Sequence, residues 1–127
     1  MRLLHVVIMF VIATASARAD WLLVGRTDEG DAHYVDVDTL KRSGPRRVQI
    51  LARIELAKPS YGMETRSIRT LLEHDCLLRR QRPLQVTYFT GPNLTGSADI
   101  GKGPGAWSAI EPGSLGAELG RLICEFR

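Results

Sequence analysis

Residues 47–56 alternate with a period of two. Val48, Ile50, Ala52, Ile54 and Leu56 share one side, and Arg47, Gln49, Arg53 and Glu55 share the other, with Leu51 the exception. Successive side chains of a strand point to opposite faces, so this segment demands a sheet with one buried face. Antiparallel sheets allow that arrangement, whereas parallel strands are covered on both sides. The pattern returns over residues 65–78. There Ile68, Thr70, Leu72, His74 and Cys76 share one side, and Ser67, Arg69, Glu73 and Asp75 share the other. Cys76 is thereby expected on the core side. The clean alternation also predicts that the second sheet face stays solvated.

Other segments fill in the sheet. Residues 20–26 and 31–37 read as two strands joined by the polar turn Thr27-Asp28-Glu29-Gly30, with Trp21 an early core anchor. Residues 38–42 are expected to form a single helical turn capped by Asp38 and broken by Ser43-Gly44-Pro45. Residues 58–62 read as a loop and residues 85–90 as a further strand. Five glycines and two prolines fall within residues 91–105, which predicts a long irregular loop, a contact loop or a simple excursion. Trp107 and Ile110 can pack after it.

Ser114 is placed to cap a final helix. Leu115, Leu119, Leu122 and Ile123 then fall on one apolar face. Gly116 and Gly120 each cost roughly 1 kcal/mol of helix propensity against Ala, which close approach to the sheet can offset. Cys124 lies off the apolar face, so the helix is expected to end at or just before it. These readings give an α+β fold, a mostly antiparallel sheet with one C-terminal helix held on a face.

The first nineteen residues have the layout of a secretory leader: Arg2, an apolar run, then Ala17-Arg18-Ala19 before Asp20. The apolar run is about 13 residues, short of the roughly 20 that span a bilayer. Residues 20–127 then form one domain. Mass spectrometry of the exported protein should find a chain starting at Asp20; residues 1–19 retained in the membrane fraction would contradict this. Export leads to an oxidising compartment, so Cys76 and Cys124, the two cysteines of the chain, are expected to be bonded to each other. Without residues 1–19, Lys plus Arg falls from 17 to 15 while Asp plus Glu stays at 14, a formal charge of +1. That balance weakens any reading as a nucleic-acid binder. No later segment approaches membrane-spanning length, so the mature form is expected to be periplasmic or secreted.

An ordered set of residues carries a resemblance: Trp21, Tyr34-Val35-Asp36, Asp75-Cys76, Gly103-Pro104-Gly105 with Trp107, Pro112-Gly113-Ser114, and Cys124. With these the chain resembles the bacterial surface-adhesin protein E-like family from residue 20 to 124. The resemblance implies about six antiparallel strands and a C-terminal helix tied to the sheet by a disulfide. It also implies dimerisation, and binding to host extracellular-matrix and serum proteins. No ligand-binding residue carries over by position, and Asp20 in place of Cys offers no lipid attachment point.

Chemistry has little to stand on. There is no Gly-x-Ser-x-Gly elbow, no Gly-rich phosphate loop opening a helix and no pair of zinc-binding histidines at i and i+4. His74-Asp75-Cys76 beside Cys124-Glu125 offers zinc donors in principle, but a disulfide removes both thiolates. No catalysis, cofactor or metal is therefore expected. Arg79-Arg80-Gln81-Arg82 is the densest basic run, with Arg46-Arg47 and Lys41-Arg42 elsewhere. Arg79, Arg80 and Arg82 are the candidate partner contacts, toward acidic glycans, phosphates or an acidic protein. The other reading of that run is a solvated turn that discourages edge pairing. The function expected is an exported, adhesin-like protein-binding module of the cell envelope. The alternative is a periplasmic structural or inhibitory domain with no extracellular role.

Overall fold

In the computed structural model, residues 20–60 and 64–125 are described; the leader expected over residues 1–19 lies outside them. Five long strands pair in chain order as an antiparallel meander: β1 (Trp21–Arg26), β2 (Ala32–Gly44), β3 (Arg47–Ser60), β4 (Thr65–Asp75) and β5 (Arg80–Phe89). Two short strands, β6 (Ala98–Ile100) and β7 (Ser108–Ala109), both pair with β5. One helix, α1 (Leu115–Cys124), follows. The antiparallel sheet with a C-terminal helix is the expected architecture.

The helix covers one face. Its Ser114 cap accepts a hydrogen bond from the Ala117 amide at 3.1 Å. Leu119 and Ile123 bury against Val35, Val48, Ile50 and Ala52, the core-side residues of β2 and β3. Gly120 lets α1 sit close: a Cβ there would lie 3.0 Å from the His74 ring. The helix ends at Cys124, whose sulfur bonds Cys76, with the two Cα atoms 5.7 Å apart. The disulfide thus fastens the end of α1 to the end of β4.

The structure corrects four expectations about individual elements. Residues 38–42 form no helical turn; β2 runs through them with a register shift between Asp36 and Lys41. The polar side chains that resemble a helix start serve this bulge instead. Asp36 accepts from the Asp38 amide, and the Thr39 hydroxyl donates to the Asp36 carbonyl and accepts from the Leu51 amide. Residues 58–60 belong to β3, where Ser60 pairs Thr65, rather than to a loop; Tyr61 and Gly62 lie outside the described residues. Residues 98–109 are not a free excursion. The amides of Gly101 and Gly105 donate to the Val86 and Pro83 carbonyls, binding this strip along the β5 edge. Gly103 permits the approach, since a Cβ there would meet the Leu84 carbonyl oxygen at 2.3 Å.

The fourth correction concerns Trp21. It pairs with Asp36, which pairs with Leu51, so its side chain lies on the face opposite the helix and not in the main core. A register shift between Leu23 and Gly25 changes the phase of β1. Val24 then packs on the core, and Gly25 accommodates Leu115 of α1.

Candidate functional site

Among the described residues no helix lies over the second sheet face, yet it is not simply solvated as its polar alternation suggests. Asp36, Ser67, Glu73, Asp75 and Thr87 lie on it and are buried. Buried carboxylates need charged or hydrogen-bonding partners: arginines supply them to Glu73 and Asp75, and the Asp38 amide to Asp36.

At one end of the face, Trp107 is surrounded by three guanidinium groups. Arg80 and Arg82 lie 4.5 Å from its ring centre and Arg47 lies 5.3 Å away. Arg82 also pairs with Glu73 at 2.8 Å, and Arg80 with Asp75 at 3.3 Å. The period of two explains the geometry: Arg80 and Arg82 face this side, while Gln81 turns toward Gly116 of α1. Trp107 reaches the cluster because the Gly105 amide and β7 hold its segment on β5.

Farther along the face, the Arg53 guanidinium lies 4.2 Å from the Tyr34 ring centre and 5.2 Å from that of Trp21. Glu55 balances Arg53 at 3.5 Å and accepts from the Asn93 amide at 2.7 Å. Ser67 donates to the Gly91 carbonyl and accepts from the Leu94 amide, so the turn after β5 folds over this part of the sheet. Arg69 stacks over Phe89 at 5.7 Å. Cation–π contacts of this kind need a guanidinium group aimed at a ring face, and neighbouring strands provide that alignment.

The predicted run Arg79, Arg80 and Arg82 is divided between two environments. Arg80 and Arg82 are half-buried in the Trp107 cluster. Arg79 is exposed at the β4–β5 turn, in the left-handed region with φ 50°, and its carbonyl accepts from the Ile110 amide. Trp21, Tyr34, Arg53, Arg69 and Trp107 were not singled out as a site by the sequence. Alternation marked Arg53 and Arg69 as facing away from the core, but only the strand register brings aromatic rings beside them.

Among the described residues, no group of three or more His, Cys, Asp or Glu side chains is arranged to hold a metal ion. Both cysteines are in the disulfide. Among the described residues no helix is long and apolar enough to cross a membrane. His74 is buried beneath α1 with no well-aligned hydrogen bond to either ring nitrogen. Burial lowers its pKa below the ordinary 6.5, and the Gly116 backbone opposes this more weakly. Burial lowers His33 likewise, with Asp31 opposing. The unfolded chain therefore takes up these protons more readily than the folded one as pH falls below about 6.5, and stability falls with it. Asp75 stays charged through that window, since the Leu78 amide and then Arg80 hold its carboxyl below the usual range. Melting temperature should decline from pH 7.5 to pH 5; a flat profile would contradict neutral buried histidines.

A single sheet has a helix clamped to one face and arginines and aromatic rings arrayed on the other. The chain belongs to the surface-adhesin protein E family, whose model matches residues 21–125. It is similar in fold to solved structures of Haemophilus influenzae protein E. One is 16% identical, with a TM-score of 0.61 over 85% of this chain and 86% of that one. A selenomethionine form is 14% identical, with a TM-score of 0.63 over 86% and 88%. A structure from the non-typeable organism is 14% identical, with a TM-score of 0.62 over 87% and 79%. Comparison with curated protein sequences finds no match.

Proposed function

We propose that this protein is an exported binding module of the cell envelope that captures a protein partner through the open sheet face, without chemistry of its own. The observation that carries this reading is the array of Trp21, Tyr34, Arg53, Arg69 and Trp107 on a face that no helix among the described residues covers. Trp, Tyr and Arg are the residues that dominate binding energy at protein interfaces. Their rings and guanidinium groups are already positioned by cation–π contacts and ion pairs, so little side-chain entropy remains to be lost on binding. Membership of a surface-adhesin family supports a partner outside the cytoplasm, in the envelope or the extracellular matrix. Arg79 extends the cationic character of the face to its edge, beside Arg80 and Arg82. Dimerisation through this face is the use a second copy of the chain would make of it, and light scattering at graded concentrations distinguishes the two.

The test compares variants of the immobilised mature protein exposed to envelope extract and to host serum. Arg69→Glu with Tyr34→Ala should lose the proteins that wild type retains. Glu118→Gln, on the outer side of α1, should keep them. Identical capture by all three would remove the face from the account. Turnover of a substrate by the purified protein, abolished by one point substitution, would overturn the reading altogether.

A further inference from the structure

The end of the sheet where two turns meet carries a second surface, which adjoins the open face through Arg47 and Arg79. Arg46 lies in the β2–β3 turn; Leu77, Leu78 and Arg79 lie in the β4–β5 turn. The two turns are joined by a hydrogen bond from the Cys76 amide to the Arg46 carbonyl, 2.8 Å. Asp75 Oδ1 accepts from the Leu77 and Leu78 amides at 3.1 and 2.9 Å, closing the second turn. Both leucines are left outward, 57% and 61% exposed. Arg42, Arg46 and Arg47 line an open cavity of about 520 Å³ together with Leu77, beside the disulfide.

Arg42, Arg46 and Arg79 are exposed, and among the described residues none of them has an acidic partner. Two acids on β4 and α1 are engaged elsewhere. Asp75 holds Arg80 and the turn amides, and Glu118 holds Arg121, with Glu125 also acting on Arg121.

We infer that this turn end docks on an anionic lipid bilayer. Two adjacent leucines on a turn can enter the boundary between headgroups and acyl chains, while the arginines around them meet lipid phosphates. Arginine suits the position because its aliphatic stem can lie along the leucines while its guanidinium stays with the phosphate. A soluble polyanion would engage the arginines and leave both leucines in water. A bilayer boundary uses both.

The exported protein, purified without its leader, is sedimented with vesicles of phosphatidylcholine alone and of phosphatidylcholine mixed with phosphatidylglycerol. Wild type should pellet with the mixed vesicles about tenfold better than with the neutral ones. Leu77→Ser with Leu78→Ser should reduce binding to the mixed vesicles about tenfold, with an unchanged melting temperature because both side chains are exposed. Arg46→Gln with Arg79→Gln should abolish the preference for phosphatidylglycerol. Wild type remaining in the supernatant would overturn the proposal, as would a leucine variant that binds as wild type does. Equal retention of wild type and the leucine variant on heparin, without vesicle binding, would assign the arginines to a soluble polyanion and overturn it too. The leucine variant leaves Trp21, Tyr34 and Trp107 untouched, so failure here is separable from failure of the protein-binding reading.

Discussion

Replacing Cys76 and Cys124 together by Ser should lower unfolding free energy by about 2–5 kcal/mol. The bond closes a loop with a sequence separation of 48 residues and holds the end of α1 against the end of β4. Without it the unfolded chain gains freedom, for which the chain-entropy model gives about 4 kcal/mol. The helix has ten residues, too few to be stable alone, and depends on the burial of Leu119 and Ile123. Urea denaturation of wild type and the double variant measures the loss. Coincident midpoints would contradict the role assigned to the bond.

The second large effect should come from the Trp107 cluster. Arg80→Ala with Arg82→Ala leaves two buried carboxylates, Asp75 and Glu73, without their guanidinium partners. Removing one side of such a pair costs more than the pair itself contributes, because the remaining charge stays poorly solvated. Both arginines are partly exposed, which screens the effect, so we expect a loss of about 2–4 kcal/mol for the double variant. Arg79→Ala, from the same run but without an ion pair, should stay within about 0.5 kcal/mol of wild type. Equal and small effects at all three positions would mean that the run is only a solvated turn. This difference also guides binding studies: loss of capture in an Arg80 or Arg82 variant must be read beside its melting curve, whereas Arg79 reports on contact directly.

The strands were legible wherever local alternation continued into the sheet register. Residues 47–56 and 65–75 gave their faces correctly because side-chain direction in a strand depends on position alone. The end of α1 at Cys124 was also legible, since the cysteine lies off the apolar stripe and still has to reach β4. Close packing at Gly120 was visible as an otherwise unfavourable helix residue. Three features were not. Asp38 and Thr39 are suited equally to a helix start and to a bulge, and only pairing with β3 decides between them. The face of Trp21 is not legible because residues 21–24 are apolar without interruption, so only pairing with Asp36 decides which side it takes. The open face was the least legible. Arg80 and Arg82 meet Trp107 only because the glycine strip lies along β5, and Arg53 meets Trp21 and Tyr34 only through two successive strand pairings. The basic run therefore reads as one patch, although two of its arginines balance buried acids and the third, Arg79, has no ion pair among the described residues.

The most direct test of the binding account is oxidative footprinting of the mature protein alone and in complex with a partner retained from serum or envelope extract. The account predicts protection of Trp21, Tyr34 and Trp107 in the complex, with unchanged labelling of Leu115 and Leu122 on α1. Protection confined to the helix side, with the three aromatic rings labelled as in the free protein, would contradict it.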